Sequence, residues 1–112
     1  MKFADYEAEV KRTLNVNEPP ERQLVNYALG LGDETGRVLE LVKKSEFHGY
    51  QLNKEEMRRE LGDVLWYLTA LGMHYGLALE WTAKANVKKL RERFPDGFYP
   101  TGKLNEPKEA TP

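Results

Sequence analysis

The chain contains no cysteine among its 112 residues, so disulfides, zinc–thiolate sites and thiol nucleophiles are excluded. No hydrophobic run is long enough to span a bilayer, and Met1 to Asp5 lack the apolar core of a secretion signal. Neither sign of charge dominates, since 17 lysines and arginines stand against 18 aspartates and glutamates. This balance argues against a nucleic-acid-binding protein, and we expect a soluble cytoplasmic protein with no membrane partner.

Apolar residues recur at helical spacing in four segments, and no alternating pattern predicts a strand. The predicted helices cover about residues 3–14, 21–44, 54–75 and 79–93. Pro19 and Pro20 separate the first two, Asn53 is a suitable N-cap for the third, and Gly76 suits the end of that helix. Four helices with short connections predict an all-α, four-helix bundle-like domain over residues 1–101, followed by a flexible tail over residues 102–112.

The apolar stripes of the two longest helices define the expected core. On the second helix they are Leu24, Tyr27, Leu31, Val38 and either Leu41 or Val42; on the third they are Met57, Leu61, Val64, Leu65, Leu68 and Leu71. Five glycines also fall inside predicted helices, at positions 30, 32, 36, 62 and 72. Each costs about 1 kcal/mol relative to alanine, which indicates either close helix packing or space left for a ligand.

Three acidic residues lie at or beside these apolar stripes. Glu34 shares the face of the second helix that carries its core residues, and Glu60 does so on the third, with Asp63 one turn later. An unpaired charge at such a position is costly, and a divalent cation is one suitable partner. Carboxylates with water and substrate phosphates are the usual ligands of Mg²⁺. The alternative is that these acids pair with nearby lysines or arginines.

The segments LGLGDETGRV (residues 29–38), ELGDVLWYL (60–68) and NVKKLRERFPDGF (86–98) together resemble the MazG-type all-α nucleotide pyrophosphohydrolases. The resemblance implies a homo-oligomer, dimeric or tetrameric, that splits a nucleoside triphosphate into monophosphate and pyrophosphate. It also implies that Mg²⁺, or Mn²⁺ in its place, is held by an ExxE and an ExxD motif. Glu34 matches the first acid of ExxE, and Glu60 and Asp63 match ExxD, so these three are the predicted catalytic and metal-binding residues.

The resemblance also places three residues of the fourth helix beside the nucleotide, namely Asn86, Lys89 and Arg93. They recur on one helical face, and their side chains suit phosphate, ribose or base edges. The alternative is an ordinary solvated face, because other lysines and arginines share the segment. We therefore treat them as predicted substrate-binding residues whose role depends on the resemblance.

Arg37 departs from the family pattern, because it stands where ExxE has its second acid. Arginine cannot ligate Mg²⁺ and keeps its positive charge, and Asp33, Glu34 and Glu40 are all within helical reach of it. Three interpretations follow. Glu34, Glu60 and Asp63 still hold one Mg²⁺ while Arg37 binds a substrate phosphate; or hydrolysis is lost and the protein only binds a nucleotide; or Arg37 is a structural ion pair in a domain that keeps only the fold.

Overall fold

A computed structural model describes residues 1–98, which form four helices and no extended strand. The helices are α1 (Phe3–Arg12), α2 (Pro20–Phe47), α3 (Lys54–His74) and α4 (Leu79–Arg93). The predicted all-α class is therefore confirmed. The predicted domain boundary after residue 101 and the predicted tail at residues 102–112 lie outside the described residues. Within residues 1–98, no helix combines the length and apolar character needed to cross a membrane.

The ends of the helices follow local capping chemistry. The carboxamide oxygen of Asn53 accepts hydrogen bonds from the backbone N–H groups of Glu55 and Glu56, at 3.0 and 3.2 Å, as an N-cap should. Gly76 follows α3 with a φ of 69°, which confirms the predicted stop. The predicted end of α2 at Lys44 is wrong, because the helix continues to Phe47. No glycine or proline interrupts it there, and the chain turns only at Gly49, where φ is 70°.

The long helices α2 and α3 form an antiparallel hairpin that carries most of the tertiary packing. Its fully buried centre contains Tyr27 of α2 and Ala70 of α3, joined by Val10 of α1. The first helix is tied to this hairpin at its end, where the indole nitrogen of Trp66 donates a 2.8 Å hydrogen bond to the hydroxyl of Thr13. The predicted end of α1 at about Leu14 is too late, because the helix ends at Arg12 and Thr13 is its C-cap, with a hydroxyl that donates to the carbonyls of Glu9 and Val10.

The predicted core face of α3 is only partly correct. Val64 and Leu71 are half-buried, whereas 52% of Leu61 and 42% of Leu65 and of Leu68 are exposed. The reason is geometric, because α2 covers one side of α3 and the contacts of α1 and α4 cover only part of the remaining surface. The sequence left open whether Leu41 or Val42 completes the core-facing stripe of α2. The structure selects Leu41, because Leu41 is half-buried and Val42 is exposed.

The fourth helix packs against α1 and α3 without burying any of its own residues. Its first turn is capped from outside, because a carboxylate oxygen of Glu7 accepts a 3.2 Å hydrogen bond from the backbone N–H of Leu79. A carboxylate at a helix N-terminus also complements the helix dipole. This contact between α1 and α4 helps to fix where the predicted substrate-binding face of α4 begins.

Candidate metal centre

Three carboxylates converge between α2 and α3. One carboxylate oxygen from each of Glu34, Glu60 and Asp63 lies within 4.8 Å of the others. Glu34 and Glu60 are half-buried and Asp63 is exposed, so the cluster opens to solvent on one side. The structure thus brings together the three acids that the sequence predicted as metal ligands, on two helices, at a spacing that one cation can bridge.

A close contact one turn away sets this spacing. A Cβ atom built on Gly30 would fall on the ring of Tyr67, so the two helices approach at a distance that only glycine permits there. Gly30 is four residues before Glu34, and Tyr67 is four residues after Asp63. In an antiparallel pair this register sets Glu34 opposite Asp63, one helical turn from the contact. Among the helical glycines, Gly30 therefore has a packing function that positions the acids.

The inner carboxylate oxygens lack hydrogen-bond partners. Oε2 of Glu34 and Oε2 of Glu60 are buried, and no donor within residues 1–98 reaches either of them. The side chain of Glu34 is only 13% exposed. Burial, followed by the chance to share a proton with Glu60, raises the pKa of Glu34, while the charge of Arg37 opposes this shift. Buried anionic oxygens without donors are costly, and a cation between them would remove that cost.

Arg37 lies at the edge of the cluster and is paired loosely. Its Nε atom is 3.8 Å from Oε2 of Glu34 and 3.7 Å from Oδ2 of Asp33. These partners are two of the three that helical spacing allowed. The third, Glu40, lies 4.0 Å from the ammonium of Lys44 instead. With 59% of its side chain exposed, Arg37 is accessible to a ligand that approaches the acids.

The predicted substrate-binding residues of α4 do not belong to this cluster, which is built by α2 and α3. Asn86, Lys89 and Arg93 are exposed on α4, and the guanidinium of Arg93 lies over the ring of Phe94, 5.2 Å from its centroid. The helical spacing of the three residues is confirmed, because α4 runs unbroken from Leu79 to Arg93. Their contact with a nucleotide remains a prediction.

The sequence did not predict that Tyr6 of α1 would neighbour the acids. Burial and, second, the negative charge of Asp63 raise the pKa of Tyr6. Its spacing marks it as an apolar-face residue of α1, and it does pack against the core. Nothing in the local sequence of α1 indicates which part of α3 it meets, because that depends on how the two helices cross.

A comparison with known families identifies the family to which the chain belongs. The family model described as the MazG nucleotide pyrophosphohydrolase domain matches residues 22–98, which include Glu34, Glu60 and Asp63. The chain belongs to this family. It is also similar to the Gene 37 protein of Mycobacterium phage L5, with 33% identity over 69 residues, or 58% of this chain and 60% of that protein. The chain thus spans less than two thirds of that relative's length.

No solved structure matches the chain, so the geometry of the site is argued from its own residues. Proteins of the MazG family generally act on nucleoside triphosphates and generally depend on a divalent metal. The acids of this MazG-family domain fit such a metal, because they supply oxygen ligands from two helices and two of those oxygens are buried without donors. Arg37 adds a positive charge at the edge of this cluster, 3.8 Å from Glu34.

Proposed function

We propose that this MazG-family domain is a Mg²⁺-dependent nucleoside triphosphate pyrophosphohydrolase. Water would attack a phosphorus atom of the triphosphate chain, and the anhydride bond between the α and β phosphates would break to release nucleoside monophosphate and pyrophosphate. The observation that carries the proposal is the cluster of Glu34, Glu60 and Asp63, in which one carboxylate oxygen of each residue lies within 4.8 Å of the others. Glu34 and Glu60 each also have a buried oxygen that no hydrogen-bond donor of the described residues reaches.

The three acids would hold Mg²⁺, with Mn²⁺ as a substitute. A bound divalent cation polarises phosphate oxygens and lowers the pKa of a ligated water. One of these carboxylates would accept the proton from the attacking water, within reach of the ion that activates it. The Arg37 guanidinium would bind a phosphate oxygen and stabilise negative charge as the anhydride bond breaks.

Substrate binding in this proposal uses Asn86, Lys89 and Arg93 of α4 in addition to Arg37. Lysine and arginine donors suit phosphate oxygens, and the asparagine suits ribose or a base edge. The near-neutral net charge of −1 supports free nucleotides over nucleic acid as the ligand. We also propose a cytoplasmic location, because nucleoside triphosphates are made and used there.

A homo-oligomer, either dimer or tetramer, is part of the same proposal. The less covered side of α3 carries three exposed leucines at helical spacing, Leu61, Leu65 and Leu68, and the exposed Tyr75 follows directly after the helix. On α2 a second exposed stripe contains Val25, Leu29, Gly32, Gly36 and Leu39. Two exposed apolar stripes on a domain as small as this one favour association with a second copy of the chain. A helix of that copy would also help to enclose a nucleotide, for which one chain provides only an open site.

Oligomerisation is tested by sedimentation of the wild type and of Leu65→Lys. The wild type should sediment as a dimer or tetramer, and the variant should shift toward monomer while keeping its helical circular dichroism. Val16→Lys is a matched control, because Val16 is also an exposed aliphatic residue but lies in the α1–α2 connection, off both stripes. A monomeric wild type at micromolar concentration would contradict this part of the proposal.

The activity is tested with a panel of nucleoside triphosphates, including modified ones, in the presence of Mg²⁺ or Mn²⁺. Pyrophosphate and monophosphate should appear in equal amounts. Glu34→Gln, Glu60→Gln and Asp63→Asn should each reduce the rate by at least about a hundredfold. Glu40→Gln is the control, because Glu40 lies on α2 but is exposed and paired with Lys44. If no nucleotide yields pyrophosphate, the hydrolase proposal fails.

The alternative is a non-catalytic nucleotide-binding or interaction protein on the same fold. The observation that favours it is the position of Arg37 within 4 Å of Glu34, where it supplies part of the charge that a metal would otherwise supply. Calorimetry with a non-hydrolysable triphosphate separates the two possibilities. Binding without turnover supports the alternative, and a large gain of turnover in Arg37→Glu would identify the wild type as a disabled hydrolase.

A further inference from the structure

The chain places a permanent positive charge at the edge of its carboxylate cluster. Nε of Arg37 lies 3.8 Å from Glu34 and 3.7 Å from Asp33. Both separations exceed the roughly 2.7–2.9 Å of a charge-assisted hydrogen bond. The side chain is also 59% exposed. The guanidinium therefore contributes charge to the site without being locked into a bidentate ion pair, and it can move toward an incoming anion.

The helix register places this charge at one end of the site. Gly30 of α2 contacts Tyr67 of α3. Because the two helices are antiparallel, a residue a given number of positions after Gly30 lies level with the residue the same number of positions before Tyr67. Seven residues after Gly30 is Arg37, and seven residues before Tyr67 is Glu60. Arg37 is thus level with Glu60, at one end of the carboxylate cluster.

The charges of the three clustered acids and Arg37 balance with one divalent ion, and Asp33 beside Arg37 adds one further negative charge. Glu34, Glu60 and Asp63 carry three negative charges when ionised, and a guanidinium with one divalent cation supplies three positive charges. Within the described residues, a further divalent ion would find no additional carboxylate in the cluster. Asp33 does not provide one, because it projects about 100° around α2 from Glu34 and lies beside Arg37.

We propose that Arg37 takes the place of a second metal ion, so that the centre binds a single divalent cation per chain. The inference rests on the proposed metal centre described above. In this arrangement the guanidinium is a covalently attached second positive charge, and it faces the phosphate chain of the substrate. Unlike a metal ion, it cannot be removed by chelation and it does not ligate water.

Titration with Mn²⁺ alone, followed by electron paramagnetic resonance and equilibrium dialysis, counts the bound ions. The wild type should bind one Mn²⁺ per chain. Arg37→Gln should also bind one, roughly three- to tenfold more tightly, because a positive charge 3.8 Å from a proposed ligand oxygen of Glu34 has been removed. Arg37→Glu should bind two, and the two ions should broaden each other's spectrum through dipolar coupling.

Arg22→Glu is the matched control. Arg22 lies on the same helix, is exposed and pairs with Glu18 four residues earlier, but it is 12 residues before Glu34. Its variant carries the same charge change as Arg37→Glu and should still bind one ion. Circular dichroism of all variants verifies that they fold.

Two results would overturn the inference: two ions bound by the wild type, or a single ion bound by a folded Arg37→Glu. Binding of no ion by the wild type would overturn both this inference and the proposed metal-dependent hydrolysis. Binding of one ion without pyrophosphate release would refute the hydrolase proposal alone. The ion count together with the activity assay therefore distinguishes failure of this inference from failure of the hydrolase proposal.

Discussion

Neutralising Glu34 should stabilise the metal-free protein, although it removes a proposed metal ligand. The Glu34 side chain is 13% exposed, its Oε2 has no donor among the described residues, and two other carboxylates lie within 4.8 Å. Glu34→Gln keeps the shape of the side chain and removes the charge. The variant therefore relieves repulsion from Glu60 and Asp63 and gives up the attraction of Arg37.

The magnitude follows from these distances. Each carboxylate pair at about 4.8 Å repels by roughly 1 kcal/mol in a water-like medium and roughly 3 kcal/mol at an effective dielectric constant near 20. The attraction of Arg37 at 3.8 Å to Glu34 offsets about one of the two repulsions. A net stabilisation of about 1–3 kcal/mol remains, which for a domain of this size raises Tm by roughly 5–15 °C.

The assay is thermal and urea unfolding at neutral pH with a chelator present. The control is Glu40→Gln, which removes an exposed charge paired with Lys44 at 4.0 Å and should change stability by less than about 0.5 kcal/mol. Adding Mg²⁺ should raise the Tm of the wild type much more than that of Glu34→Gln. A destabilised Glu34→Gln in chelator would refute the reasoning, because it would mean that the ionised carboxylate already has a stabilising partner.

The same residue predicts a pH dependence. Burial raises the pKa of Glu34 above its ordinary value of 4.5, so the folded metal-free state holds this proton more tightly than the unfolded state does. The stability contributed by the protonated form is fully present below 4.5 and is lost as pH rises through the raised pKa. The stability difference between Glu34→Gln and wild type should therefore shrink on acidification and vanish near pH 4. A difference that is constant between pH 4 and 8 would contradict this.

Two further predictions concern packing. Gly30→Ala would drive a methyl group into the ring of Tyr67. This overpacking should lower the free energy of unfolding by about 1–3 kcal/mol, of which the higher helix propensity of alanine restores about 1 kcal/mol. Denaturant unfolding measures the net change. Gly62→Ala is the control, since an added carbon there has no neighbour within 4 Å beyond the adjacent residues and backbone of its own helix, and equal destabilisation by both would disprove the helix contact. Glu7→Ala removes the hydrogen bond to the N–H of Leu79 and should cost about 1 kcal/mol, with faster amide exchange in the first turn of α4; unchanged exchange would show that the cap is dispensable.

The sequence by itself determined most of the helices and the residue types of the site. The sequence predicted that α4 begins at residue 79 and ends at residue 93, as the structure has it. This was possible because apolar spacing, turn residues and capping are local properties. The same locality explains why Glu34 and Glu60 could be assigned to core-facing sides of their helices before any packing was known. It also explains the error at α2, where the absence of a breaking residue between Lys44 and Phe47 outweighed the loop-like composition that follows.

Only the tertiary structure decided how these faces meet. The Gly30–Tyr67 contact fixes the register of α2 against α3, and that register sets Glu34 opposite Asp63. It also leaves Leu61 and its neighbours on α3 uncovered, because one helix can cover only one side of another. Helical periodicity is set by the backbone over a few residues, whereas register depends on side-chain contacts between residues far apart in sequence.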